Sequence, residues 1–156
     1  MKRVYLPLLL ILLAFDAKSQ NLLGLNKAQI KKYMASRQGV LKNEYSDDTR
    51  LVRREPFTEM YYSIPDSIAS KDDIHAMSFF LSKDGKCYQY LTEYSNEKSL
   101  KTLIEGFDSP NSGLKRVDKS FRWVNMSKGY EIEIIPWKMS HGKWPVIYVL
   151  DIHLRK

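Results

Sequence analysis

Cysteine is nearly missing from this chain of 156 residues, where Cys87 stands alone. A single cysteine excludes an internal disulfide and any paired-cysteine metal site. Packing must therefore hold the folded domain without a covalent staple. Long hydrophobic runs are missing too. The run from Val4 to Phe15 would span ~18 Å as a helix at 1.5 Å per residue. That is too short for a permanent anchor across the ~30 Å hydrocarbon core. Histidine occurs three times, as His75, His141 and His153, with no metal-ligand spacing and no HExxH. Asp47-Asp48 and Asp72-Asp73 lack the spaced ligand pattern of a calcium loop and read as turn chemistry. No nucleophile elbow surrounds a serine. The expectation is no catalytic residue, no metal and no cofactor.

What is present begins with compartment. The opening MKRVYLPLLLILLAFDAKSQ places Lys2 and Arg3 ahead of the apolar run. Small residues follow at Ala17 and Ser19, the layout of a secretory signal peptide cut before Gln20. No cysteine lies at the cut to carry a lipid. Residues 1–19 are thus expected to be removed and 20–156 to form one domain, periplasmic or secreted, with no stable membrane insertion. The Ser19-Gln20 junction resembles those of proteins exported by Bacteroidota. The formal charge of +7 becomes +5 without Lys2, Arg3, Lys18 and Asp16, at 22 basic and 17 acidic residues. The basic pairs Lys31-Lys32, Arg53-Arg54, Lys115-Arg116 and Arg155-Lys156 lie in different segments. Nucleic-acid binding would favour one clustered stripe, so they read as solvated surface.

Asn26 and Gln29 have capping-box spacing, Leu25 can staple onto Ile30, and Ile30, Tyr33 and Met34 form an apolar stripe that ends near Gly39. This predicts a first helix. Val40 to Pro56 is polar and reads as a loop with at most one short strand. Phe57 to Ile64 reads as a strand. HAMSFFLSKDGKCYQYLTEY predicts a hairpin around a two-residue type I′ turn at Asp84-Gly85, with Leu81 facing Tyr88 and Phe79 facing Tyr90. The opposite face, with Ser78, Phe80, Ser82, Cys87, Gln89 and Glu93, is expected to be partly exposed. Cys87 in such a run is expected to be a buried small hydrophobe. Leu100, Leu103, Ile104 and Phe107 at i, i+3, i+4 and i+7 predict a second helix ended by Asp108-Ser109-Pro110. FRWVNM and YEIEIIPW follow, joined through Ser127-Lys128-Gly129. The last strand alternates through Val146, Tyr148, Leu150, Ile152 and Leu154.

The predicted order is αβββαβββ, an α+β two-layer sandwich with an antiparallel sheet and helices on one face. Helix caps about 70 residues apart suggest a structural repeat, although residue identity between the halves is negligible. The order resembles the tandem helix-plus-sheet plan of β-lactamase-inhibitor-protein-like domains in small exported bacterial proteins. That resemblance implies no functional residue.

PWKMSHGKWP, from Pro136 to Pro145, nearly mirrors itself. Literal mirror pairing would place Ile134 opposite Ile147, but the buried even-numbered face of the last strand demands an even register sum or a bulge. The prolines should weaken the ladder nearby. The loop is the candidate ligand-binding site: Trp137 and Trp144 can stack on a sugar or an apolar surface, with Lys138, His141 and Lys143 meeting an anionic group. Its ordinary alternative is a lid in which both indoles close the core. The reading is a non-catalytic binding domain for a protein or glycan. The alternative is a small periplasmic hydrolase or transferase using His141, Ser140 and Asp151.

Overall fold

Asn26 starts the first helix as its spacing requires. Its side chain accepts from the Gln29 N–H at 3.0 Å, and the Gln29 side chain accepts from the Asn26 N–H at 2.9 Å. Helix α1, Lys27–Ser36, buries Ile30 and Met34. It ends in a Schellman arrangement, with Gly39 N–H on Met34 O and Gln38 N–H on Ala35 O. The left-handed position is Gln38, at φ 54°. Gly39 serves differently: a Cβ there would lie 2.5 Å from Met34 Cε.

The computed structural model describes residues 22–47, 56–65, 74–94, 97–117, 119–137 and 147–154. Eight strands form one antiparallel sheet: β1 Val40–Asp47, β2 Phe57–Ser63, β3 Ile74–Leu81, β4 Cys87–Tyr94, β5 Lys115–Arg116, β6 Arg122–Asn125, β7 Tyr130–Trp137 and β8 Ile147–Leu154. Helix α2, Glu97–Phe107, joins β4 to a 3-10 turn before β5. The spatial order β1-β2-β3-β4-β8-β7-β6-β5 divides into two four-strand meanders whose last strands meet at the centre. The molecule is an α+β domain with both helices on one face of the sheet, and each half carries four strands where the sequence suggested three. The added strands are β1 and the two-residue β5. Strand β1 lies at the sheet edge and is exposed at seven of its eight residues, so it has no alternating apolar pattern to detect.

Register assigns the faces. Met60, Phe79, Tyr90, Ile152, Ile132 and Trp123 stand opposite one another in a row across six strands. None is more than 2% exposed. The helix stripes close over this row: Ile30, Met34 and Leu100 belong to the same core, with Tyr33, Ile104 and Phe107 packed against it. The core thus sits between the helices and one sheet face.

Two hairpins show how the turns set register. Phe79 faces Tyr90 as expected, but Leu81 faces Cys87 and not Tyr88. The turn is longer than the type I′ expectation: Ser82 N–H bonds Lys86 O, Gly85 N–H bonds Ser82 O, and Gly85 alone takes positive φ, 72°. A three-residue loop with a left-handed glycine makes a bulge, and the bulge carries Cys87 onto the core face. There Cys87 is fully buried, and burial pushes its thiol up to about 12. Ser78, Phe80 and Gln89 are buried as well, not partly exposed as the alternation suggested; Glu93 is half-buried. In the β6–β7 turn, the Asn125 side chain accepts from Lys128 N–H at 2.9 Å and from the Ser127 hydroxyl at 2.8 Å, and Gly129 takes φ 67°.

Strands β7 and β8 take an even register, with Ile134 opposite Leu150 and Ile132 opposite Ile152, so the mirror pairing is not used. Pairing continues through Pro136 to Trp137 and Ile147. Ile134 N–H points to Phe121 O on the β6 side. Strand alternation aims position 136 the same way, past the end of β6, so the missing proline N–H costs no ladder bond.

Candidate functional site

The sheet has a second face, and no helix among the described residues lies on it. Its rows follow from the same register. Tyr61, Ser78, Leu91, Asp151, Glu133 and Arg122 form one; Glu59, Phe80, Gln89, His153, Glu131 and Val124 form the next. Asn43, Tyr45 and Asp47 extend this face onto β1, and Lys115 onto β5. Phe57, Phe80 and Val124 are buried there, outside the helix-covered core. Tyr61, Leu91, Glu59, Glu93, Glu133, Asp151 and His153 are half-buried, and Tyr45, Arg122 and Ile135 are exposed.

Charge is segregated. Strand positions on this face hold six carboxylates, Asp47, Glu59, Glu93, Glu131, Glu133 and Asp151, against two permanent cations, Lys115 and Arg122. The chain as a whole has 25 basic and 18 acidic residues. Among the described residues, six of the eleven carboxylates gather where two of the fourteen lysines and arginines do. Helix α1, on the other side, holds Lys27, Lys31 and Lys32 and no carboxylate.

At the centre, the Gln89 amide donates to both oxygens of Asp151, at 2.8 and 2.9 Å. Asp151 Oδ1 lies 3.5 Å from His153 Nδ1, an ion contact more than a close hydrogen bond. Asp151 raises the His153 pKa above its ordinary 6.5; burial opposes this, and Glu131 and Glu133 add to the rise. Glu131 is buried and paired with Arg122. Burial also raises Glu93, opposed by His75, while burial and then the Glu93 charge raise Tyr61. The arrangement can hold a proton on His153 and offer half-buried carboxylates to a cation.

A pH effect follows with a definite sign. A histidine whose folded pKa exceeds its unfolded value adds stability that is fully present below about 6.5 and is lost as pH rises through the folded pKa. The His153 ring resonances should titrate above 6.5, and Asp151→Asn should lower that midpoint and flatten the stability profile across the same window. A midpoint unmoved by Asp151→Asn would show that the pair does not interact in solution.

The sequence-derived loop falls largely outside the described residues. Lys138, Ser140, His141, Lys143 and Trp144 lie outside the described residues, and Trp137 enters only as backbone at the end of β7. The expected signal peptide, residues 1–19, also lies outside them, as do Asp48 and Asp72-Asp73. Of the hydrolase set only Asp151 is described, and it is engaged by Gln89 and His153. Two open surface hollows, of 480 Å³ at Pro56, Ser82, Lys83 and Asp84 and of 310 Å³ at Leu23, Gly24, Lys128, Tyr130 and Leu154, have no histidine among the described residues that line them. Among the described residues no group of three or more His, Cys, Asp or Glu is arranged to hold a metal ion, and no helix is long and apolar enough to cross a membrane. The carboxylate face escaped sequence reasoning because its members come from five separate strands. No known protein family, curated protein or solved structure matches the chain.

Proposed function

We propose that this protein is an exported, non-catalytic binding domain that uses the helix-free sheet face to hold a protein partner presenting lysine and arginine side chains. The observation that carries the reading is the charge segregation: in a chain of net positive charge, six of the eleven described carboxylates share one broad surface with two of the fourteen described lysines and arginines. Half-buried Tyr61 and Leu91 beside Glu59, Glu93 and Glu133 suit the aliphatic stem and charged head of a long basic side chain. Export rests on the layout of residues 1–19, with release to the periplasm or medium. The tandem αββββ order supports kinship in plan with the β-lactamase-inhibitor-protein-like domains.

A deca-lysine peptide discriminates well, because a protein of net positive charge repels it unless the negative surface is real. Titrated at low salt, it should shift NMR resonances of β2, β4, β7 and β8, and added salt should weaken it. The triple variant Glu59→Lys, Glu93→Lys, Glu133→Lys should bind at least about tenfold more weakly, as loss of several charge contacts implies. Resonance shifts confined to the helices, or equal affinity in the variant, would sink the reading.

A further inference from the structure

Strand register sets His153 inside the carboxylate surface of the helix-free face. On its own strand Asp151 stands two positions away, and the Asp151 Oδ1 lies 3.5 Å from His153 Nδ1, which is shielded from solvent. On β7, Glu131 is directly opposite His153 and Glu133 is directly opposite Asp151, so the four groups occupy the corners of one rectangle. Glu131 is buried and shares its charge with Arg122 of β6. On β4 the residue opposite His153 is Gln89, which is neutral and donates its amide to both Asp151 oxygens. Arg155, the next charged residue along the chain, lies outside the described residues. Among the described residues of β7 and β8, each charged group beside the ring is a carboxylate.

We infer that His153 is a proton-operated control on this surface, an inference that rests on its reading as a site for lysine and arginine side chains. With the ring protonated the surface holds a basic partner weakly, and with the ring neutral it holds that partner more tightly. Six carboxylates against two permanent cations give the strand positions of this face a formal charge of −4, which one proton on His153 reduces to −3. A partner's ammonium or guanidinium group and the imidazolium are both drawn to Asp151, Glu131 and Glu133, so each weakens the other. The effect is reciprocal: protonation lowers partner affinity, and partner binding lowers the His153 pKa by the same factor.

The carboxylates, Asp151 first among them, hold the folded His153 pKa above its ordinary 6.5 against the opposing effect of burial. Affinity therefore rises as pH climbs through that folded pKa, on the alkaline side of 6.5, and falls as pH drops through it. Two other groups act on the same surface with the same sign. Burial raises Glu93 above its ordinary 4.5, and His75 stands near enough to oppose the rise. Protonating either of them also makes the surface less negative, so substitution must tell them apart from His153.

The test is a pH series of peptide titrations at fixed ionic strength. N-acetylated deca-arginine amide is the probe, because guanidinium groups keep their charge throughout. Its dissociation constant should fall at least about fivefold between about pH 5.5 and about pH 8.5, the lower end of ordinary coupling between sites. Saturating peptide should also move the His153 ring midpoint downward; this is read on the wild type, so the test survives a variant that fails to fold. His153→Gln should bind with one affinity across the range, whereas His75→Gln should keep the pH dependence. Asp151→Asn, which lowers the His153 midpoint, should carry the binding transition to lower pH with it. Peptide shifts on β2, β4, β7 and β8 with one unchanged affinity across the range would overturn the control by His153 and leave the binding reading intact. A pH dependence that persists in His153→Gln, or a ring midpoint unmoved by saturating peptide, would do the same. No resonance shift on those strands at any pH would remove both together.

Discussion

Trp123→Ala should cost about 3–5 kcal/mol of folding stability, the usual range for emptying a buried tryptophan site. Trp123 is fully buried at the end of the six-residue core row. Three elements meet on it. Its indole N–H donates to Asp108 Oδ1 at 2.7 Å, just beyond the end of α2. The Phe107 ring, on the last residue of that helix, lies 5.2 Å away at 59°. The Arg116 guanidinium on β5 stands 5.1 Å over its ring and bonds Asp108 Oδ2 at 3.0 Å. Alanine would remove the packing that docks α2 and the donor that holds Asp108. Trp123→Phe should recover much of the loss, because the ring contact with Phe107 survives and Asp108 keeps Arg116. Urea unfolding midpoints of the three proteins measure this. A loss below about 1 kcal/mol for Trp123→Ala, the range of surface substitutions and mild repacking, would mean that α2 is not anchored there.

Phe79→Ala should be of similar size, about 3–5 kcal/mol, and its neighbour supplies the control. Phe79 is fully buried on β3, with Tyr62 edge-on at 6.0 Å and Tyr90 stacked at 6.3 Å. It shares its core with Ile30 and Met34 of α1. Phe80 points to the helix-free face and meets Phe57 at 5.9 Å. Both are phenylalanines in a central strand, so β propensity and backbone effects cancel between them. The difference isolates the helix layer. Phe79→Ala should lower the unfolding midpoint clearly more than Phe80→Ala, and should loosen α1 in amide exchange. Equal losses would contradict the placement of both helices on the Phe79 side.

Local signals were legible wherever the deciding atoms are neighbours in the chain. The Asn26–Gln29 cap, the α2 stripe and the position of the Lys83–Gly85 turn all depend on residues within four positions of each other, and sequence alone specifies them. Rejection of the mirror pairing between β7 and β8 was legible for a related reason, since one buried face with strict alternation requires an even register or a bulge, and the structure takes the even register. What sequence could not decide was set by balances across strands. The bulge that turned Cys87 inward depends on a left-handed Gly85 in place of a two-residue turn, a small difference in turn energy with a large effect on facing. Strand β1 was hidden because an edge strand exposed on both faces needs no amphipathic pattern. The carboxylate surface exists only because Glu59, Glu93, Asp151 and Glu133 are brought alongside by β4 pairing with β8, and side chains far apart in sequence interact electrostatically only after the sheet has placed them within a few ångströms.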